Sequence, residues 1–110
     1  MRLVPLEQIA AGHVFVAERE GIIVGFAAVV PREDDGAELD ALFVEPHIWK
    51  GGIGRSLVDH GAQIARAAGA RFLHVVGNPH ARGFYLACGF SVIGTTETRF
   101  GMGLSMTRAL

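Results

Sequence analysis

The chain has 110 residues, a length that suits one domain and is too short for two. Half of the residues are hydrophobic, which argues against disorder, and a formal net charge of -1 without a basic cluster argues against nucleic acid as a partner. The first residues lack the apolar core of a signal peptide, and no apolar run approaches the length of a membrane span. We therefore expect a cytoplasmic protein without a membrane partner.

The first half of the chain predicts three strands. Residues 1–12 are weakly patterned and suggest at most a helical turn after Pro5. Two β-rich runs, His13 to Glu18 and Ile22 to Val30, flank a short polar link and indicate an antiparallel hairpin. A polar loop, PREDDG, leads into the alternating stretch AELDALFV, which predicts a third strand. On this pattern one face of the third strand carries Glu38, Asp40, Leu42 and Val44.

The second half predicts two helices and three more strands. Apolar residues recur at helical spacing from about Ile53 to Ala68, and the apolar stretch 71–77 predicts a buried strand. Strands on either side of a helix imply a parallel pair in a βαβ crossover. Asn78 is a good first residue for a second helix, which ends near Gly89, and the tail predicts two further strands. The expected fold is α/β, with one mixed, mostly antiparallel sheet in the order β-β-β-α-β-α-β-β, in a single domain.

Three glycines stand at the start of the first predicted helix, in the stretch WKGGIGRSLV. A helix N-terminus offers unpaired N–H groups and a partial positive charge, and glycines let a ligand approach the backbone, so the pattern suits a phosphate group. Leu57 stands where the dinucleotide fingerprint needs a third glycine, and no Gly-Lys-Ser/Thr sequence occurs. The ligand would thus be phosphorylated without a standard nucleotide loop. A glycine-rich turn with no ligand is the alternative.

Two stretches resemble one family. FVEPHIWKGGIGRSLV resembles the central motif of the GCN5-related N-acetyltransferases (GNAT family), which is Gln or Arg, two variable residues, Gly, any residue, then Gly or Ala. NPHARGFYLACGF resembles the second signature of the family. Both occur in the family's order, on the predicted elements, and the resemblance covers about residues 13–110. The positions that match the second signature are Asn78, Ala81, Phe84, Tyr85, Gly89 and Phe90.

Two departures from the family pattern are visible. Trp49 stands at the first motif position in place of Gln or Arg. Family members usually begin with a strand and one or two helices before the hairpin, and this chain has only about twelve residues there. The resemblance therefore implies a short member without the usual N-terminal strand and helices.

The resemblance implies acetyl-CoA as the co-substrate. The pyrophosphate would contact amides from Lys50 to Arg55 and the Ser56 hydroxyl, and the pantetheine arm would run along the third strand in a cleft where two strands splay apart. Asn78 would contact the pantetheine, and Phe84 would line the channel. The cofactor-binding residues implied in this way are Leu42, Phe43, Val44, Trp49, Lys50, Gly51, Gly52, Ile53, Gly54, Arg55, Ser56, Asn78, Phe84 and Tyr85.

Three residues are candidates for proton transfer. Glu38 falls where family members carry a catalytic glutamate, and Asp40 is the second choice on the same strand. Tyr85 is the candidate acid for the departing thiolate, since a phenol has a pKa near 10. The alternatives are that both carboxylates are solvated strand residues and that Tyr85 is a core aromatic.

The expected function is N-acetyl transfer to a primary amine of a small molecule or a protein. The alternative is a non-catalytic module that binds acetyl-CoA or CoA. A homodimer is expected because a short domain with an exposed sheet edge gains from covering it. The five histidines show no metal spacing, so no metal is expected, and His74 is interpreted as a satisfied core residue. Cys88 is interpreted as a small core residue.

Overall fold

The computed structural model of the protein describes residues 1–9 and 12–110, and for residues 7–9, 49 and 50 it describes the backbone alone. In this part of the chain, no helix is long and apolar enough to cross a membrane. Short 3₁₀ helices lie at Pro46–Gly51 and Pro79–Ala81. The main elements are β1 (Arg2–Ile9), β2 (Gly12–Arg19), β3 (Ile22–Pro31), β4 (Ala37–Val44), α1 (Ile53–Ala67), β5 (Phe72–Gly77), α2 (Arg82–Ala87), β6 (Ser91–Thr98) and β7 (Gly101–Ala109).

The strands form one mixed sheet in the spatial order β1-β2-β3-β4-β5-β7-β6. β4 and β5 are parallel and are joined through α1, while the other neighbouring strands are antiparallel. The predicted α/β fold with a βαβ crossover is confirmed. Its element order is also confirmed from β2 onwards.

The prediction for the first residues is wrong, because they form β1 and not a helical turn. β1 pairs antiparallel with β2, with Leu3 opposite Ala17 and Val4 opposite Val16. Pro5 is tolerated because β1 is an edge strand, where an outward-facing position needs no N–H donor. The chain thus has a strand where the resemblance led us to expect none, and residues 10 and 11 separate that strand from β2.

The core lies between α1 and one face of the sheet. Phe15 on β2, Leu39 on β4 and Leu57 on α1 are almost completely buried in it. Gly61 lets α1 approach the sheet, since a Cβ at that position would lie 3.0 Å from Val29 Cγ2. This contact explains a glycine inside a helix, where it would otherwise be unfavourable.

A β-bulge interrupts the alternation of β4. Ala28 of β3 lies opposite Ala41 while Val29 lies opposite Leu39, so Asp40 is an extra residue without a cross-strand partner. The predicted alternation is therefore wrong beyond this position. Leu42 and Val44 pack against the core with Leu39, not on the Glu38 face. Phe43 is instead 45% exposed and stacks on Phe26, with ring centroids 5.7 Å apart.

The parallel pairing of β4 and β5 is short. Ala37 lies opposite Leu73 and Glu38 opposite His74, and the two strands pair at these positions alone. β4 then continues for six residues and β5 for three without pairing to each other. The two strands therefore separate beside Leu42 and Val44, as the resemblance led us to expect.

Candidate active site

A cavity of about 410 Å³ opens where β4 and β5 separate. Its lining comes from β4, the first turn of α1 and the segment 78–85. Six of the residues predicted to bind the cofactor lie here together. The lining residues are Leu42, Val44, Gly54, Asn78, His80, Ala81, Phe84 and Tyr85.

The N-terminus of α1 borders this cavity and carries free amide donors. The Ser56 N–H donates to the Gly52 carbonyl at 3.0 Å, which is the first hydrogen bond of the helix. The amides of Ile53, Gly54 and Arg55 therefore have no partner inside the helix. Among the described side chains none caps this end, and the first turn, IGRS, has no acidic residue. The helix thus presents a partial positive charge suited to an anion.

For two of the three glycines, the local structure explains why a glycine is present. Gly52 has a φ of +82°, the left-handed conformation that disfavours other residues. A Cβ on Gly54 would lie 3.2 Å from the ring of Phe84 and 3.5 Å from Val44 Cγ2. A Cβ on Gly52 would meet no atom of the described residues within 4 Å, and Gly52 is exposed. The local conformation thus explains part of the motif, and the open approach to the amides is what a ligand would use.

Other residues of the glycine-rich stretch were also predicted to bind the cofactor, and their positions differ from one another. Ile53 is buried in the core, so only its backbone can face a ligand. The side chain of Arg55 is largely exposed and lies 3.9 Å from the carboxylate of Asp59, one helical turn away. Gly51 ends the 3₁₀ helix that precedes the motif. The predicted contacts of the Trp49 and Lys50 side chains lie outside the described residues.

Asn78 is confirmed as a helix-capping residue. Its side-chain oxygen accepts a hydrogen bond from the His80 N–H at 2.8 Å, which begins the 3₁₀ helix before α2. This bond fixes the Asn78 side chain at the wall of the cavity. His80 and Ala81 line the same wall without having been predicted to bind the cofactor, although both lie in the stretch that resembles the second signature.

Tyr85 is largely buried at the base of the cavity, with 8% of its surface exposed. Its ring packs edge-to-face against Phe84 and Phe90, at centroid distances of 5.1 and 5.5 Å. Gly77 on β5 makes room for this ring, since a Cβ there would lie 2.9 Å from Tyr85 Cε2. Burial raises the pKa of the Tyr85 phenol above its ordinary value of 10.0. The hydroxyl therefore stays protonated and can donate.

Glu38 belongs to a second cluster, which does not line this cavity. Its Oε1 accepts a hydrogen bond from Arg32 Nη1 at 2.5 Å and lies within hydrogen-bonding distance of His74 Nδ1, at 2.7 Å. The other ring nitrogen of His74 lies 2.6 Å from the Ser105 hydroxyl on β7. Hydrogen bonds to Asp34 and Glu38 raise the pKa of Arg32, so the guanidinium stays charged. The structure thus embeds the predicted base in a polar network of three strands and a loop.

Asp40, the second candidate base, is placed apart from this network. It is the extra residue of the β4 bulge and is exposed. Arg32, His74 and Ser105 were not predicted as site residues. A signal for His74 did exist, since it is the polar residue of an otherwise apolar strand. Its contact with Glu38 depends on the β4–β5 register, which the sequence does not reveal.

A family model described as the acetyltransferase (GNAT) family matches residues 2–90. Peptidyl-lysine N-acetyltransferase YjaB of Salmonella typhimurium is 37% identical over 62 residues. The match covers 56% of this chain and 41% of that protein, so the chain spans about two fifths of this curated relative.

Solved structures of acetyltransferases have the same fold. Ribosomal-protein-alanine N-acetyltransferase from Brucella melitensis is 31% identical with a TM-score of 0.76, covering 90% of this chain and 69% of that one. An aminoglycoside 6'-N-acetyltransferase complexed with coenzyme A is 18% identical with a TM-score of 0.82, covering 91% and 73%. At that identity the second likeness shows the fold alone.

Tyr85 is the one tyrosine of the chain, so its ionisation can be followed directly. We expect phenolate absorbance in the folded protein to appear at a higher pH than in urea, where the pKa returns to about 10. Because the folded pKa is the higher one, folding favours the protonated phenol. The folded state therefore loses this stabilisation as the pH rises from the unfolded pKa through the folded pKa. Equal midpoints in the folded and unfolded protein would contradict the burial of the hydroxyl.

Proposed function

The chain belongs to the GNAT family of acetyltransferases, and we propose that it is an acetyl-CoA-dependent N-acetyltransferase acting on a primary amine. The observation that carries the proposal is the cavity, which is lined by residues from the start of α1, from β4 and from α2, including Tyr85. The amine would belong to a small molecule or a protein and would attack directly, with cofactor and acceptor bound together.

The residues of the cavity fit acetyl-CoA. The free amides at the start of α1 suit its pyrophosphate, which is anionic and needs several converging donors. On the side facing β5, the backbone of Leu42–Val44 has no strand partner, so it can pair with the amide groups of the pantetheine arm. Asn78 and the apolar wall with Phe84 border the same path. Phe43 would contribute through its backbone, because its side chain lies on the opposite face.

Acetyl-CoA supplies an activated thioester carbonyl. The amine nitrogen forms a bond to this carbon, and the bond from carbon to sulfur breaks. Glu38 takes up the proton that the amine loses, directly or through water, and Tyr85 donates the proton that the departing thiolate needs. The phenol of Tyr85 is protonated at neutral pH, since burial raises its pKa, and it therefore holds the proton that this step needs. Asp40, exposed in the bulge, is the second choice for the base.

The related proteins indicate which classes of amine to test as the acceptor. The names of the related proteins include a peptidyl-lysine acetyltransferase, a protein-alanine acetyltransferase and an aminoglycoside acetyltransferase. A screen should therefore contain a lysine peptide, a peptide with a free N-terminus and an aminoglycoside. A cytoplasmic location and the absence of nucleic-acid and membrane partners stay predictions of the sequence.

Replacing Tyr85 by Phe separates an enzyme from a module that only binds the cofactor. We expect turnover to fall on the order of a hundredfold or more, because the variant loses the proton donor. The dissociation constant for acetyl-CoA should hardly change, because the ring still fills its place between Phe84 and Phe90. Steady-state kinetics and calorimetry measure the two quantities.

Two results would contradict the enzyme proposal. The first is a Tyr85→Phe variant with wild-type turnover, which would remove Tyr85 from the reaction. The second is a wild-type protein that binds acetyl-CoA and acetylates no amine in the screen, which would favour the binding module.

We also propose that the chain forms a homodimer. β1 is an edge strand, and the exposed rings of Phe26 and Phe43 lie on the sheet face turned away from the core. A second copy would cover apolar surface of this kind. Light scattering after size exclusion should give twice the chain mass, and replacing Phe26 and Phe43 by Ser should shift the mass to that of one chain. A wild-type monomer at working concentration would contradict the proposal.

A further inference from the structure

His74 links three strands at the last position where β4 and β5 are paired. It lies opposite Glu38 in the β4–β5 register, and only 9% of its surface is exposed. Nδ1 lies 2.7 Å from Glu38 Oε1, and Nε2 lies 2.6 Å from the Ser105 hydroxyl. Both ring nitrogens are therefore engaged, and the imidazole is fixed in position and orientation.

The distances around the ring indicate which nitrogen carries the proton. A guanidinium and a carboxylate face Nδ1, from Arg32 and Glu38. An unprotonated Nδ1 at 2.7 Å from a carboxylate oxygen would bring two lone pairs together. Nδ1 therefore carries the proton and donates it to Glu38. In the neutral ring Nε2 is then the acceptor, and the Ser105 O–H donates to it.

We propose that His74 is a positioning residue for the Glu38 base, with Ser105 holding the other ring nitrogen; the proposal rests on the proposed function. His74 and Arg32 both donate to Oε1. Within the described residues no protein group donates to Oε2, so this oxygen is left to receive a proton from the amine. A base held by two donors at the point where the strands part needs no reorientation before it acts.

The same chain of contacts, hydroxyl to imidazole to carboxylate, activates the nucleophile in serine hydrolases. A positioning role for His74 requires no covalent step at Ser105. Intact mass after incubation with acetyl-CoA and an acid quench should therefore show no acetyl group on Ser105. An acetyl ester at this residue would overturn the proposal.

The charged and titratable groups that face the ring are Glu38 of β4 and Arg32 of the preceding loop, with Asp34 bonded to Arg32. β7 contributes the neutral hydroxyl of Ser105. Nitrogen-15 NMR of the histidine ring tests the arrangement without turnover. We expect the Nδ1–H tautomer in the wild type and also in Ser105→Ala, because the carboxylate of Glu38 and not the hydroxyl selects it. A wild-type ring protonated at Nε2 alone would overturn the proposal.

Two amide variants test the role in catalysis. The nitrogen of Asn can take the place of Nδ1, so His74→Asn keeps a donor to Glu38. The amide of Gln reaches towards Ser105, so His74→Gln loses that donor. With the best amine of the screen, we expect kcat to fall about tenfold to a hundredfold in His74→Gln, with most of it retained in His74→Asn. Acetyl-CoA affinity should stay unchanged in both.

A double-mutant cycle decides whether His74 acts through Glu38. In a Glu38→Gln background, His74→Gln should cause almost no further loss of kcat, because the base is already gone. An equal fall in both backgrounds would show a general structural effect and overturn the proposal. Melting curves of each variant exclude loss of the fold as the cause.

The proposed function and the role of His74 can be overturned separately. A wild type that binds acetyl-CoA and acetylates no amine would overturn the proposed function, and this inference with it. An active wild type with unchanged kcat in His74→Gln would overturn the inference alone.

Discussion

The site depends on how early β4 and β5 stop pairing. Parallel neighbours normally continue their ladder, but these strands are joined at two positions, after which the bulge at Asp40 redirects β4. The separation leaves backbone groups of β4 free on one side and opens the cavity at the start of α1. It also places Glu38 and His74 at the last paired position. The cavity and the polar network are therefore two consequences of one interruption in the sheet.

Much of the fold could be predicted from local patterns. The hairpin, the third strand, α1 and the tail strands follow from alternation, helical spacing and glycine or proline boundaries, and all are confirmed. Residues 1–12 could not be predicted in the same way. The alternation in β1 is weak, and Pro5 argues against a strand unless the strand is known to lie at an edge. Edge position is a property of the sheet, which local sequence does not carry.

The parts of the candidate site that lie in continuous sequence motifs could be predicted. The parts that depend on the register between strands could not. Gly54, Asn78 and Tyr85 lie in two continuous motifs, and the structure brings all three to one cavity. The bulge reversed the faces of Leu42 and Val44, because one extra residue inverts every later side chain. Likewise, the contact between Glu38 and His74 joins residues 36 positions apart, and only the pairing of β4 with β5 creates it.

The most direct test of the account is a calorimetric titration of the purified protein with acetyl-CoA, with ATP and NAD as control ligands. We predict binding of acetyl-CoA alone, in the micromolar range. Gly54→Val should remove this binding, because the added side chain would enter the space beside Phe84 and Val44. The matched control, Gly83→Ala on α2, adds a Cβ that meets no atom within 4 Å and should bind like the wild type. A folded wild type that does not bind acetyl-CoA, or a Gly54→Val variant that binds it equally well, would contradict the proposed site.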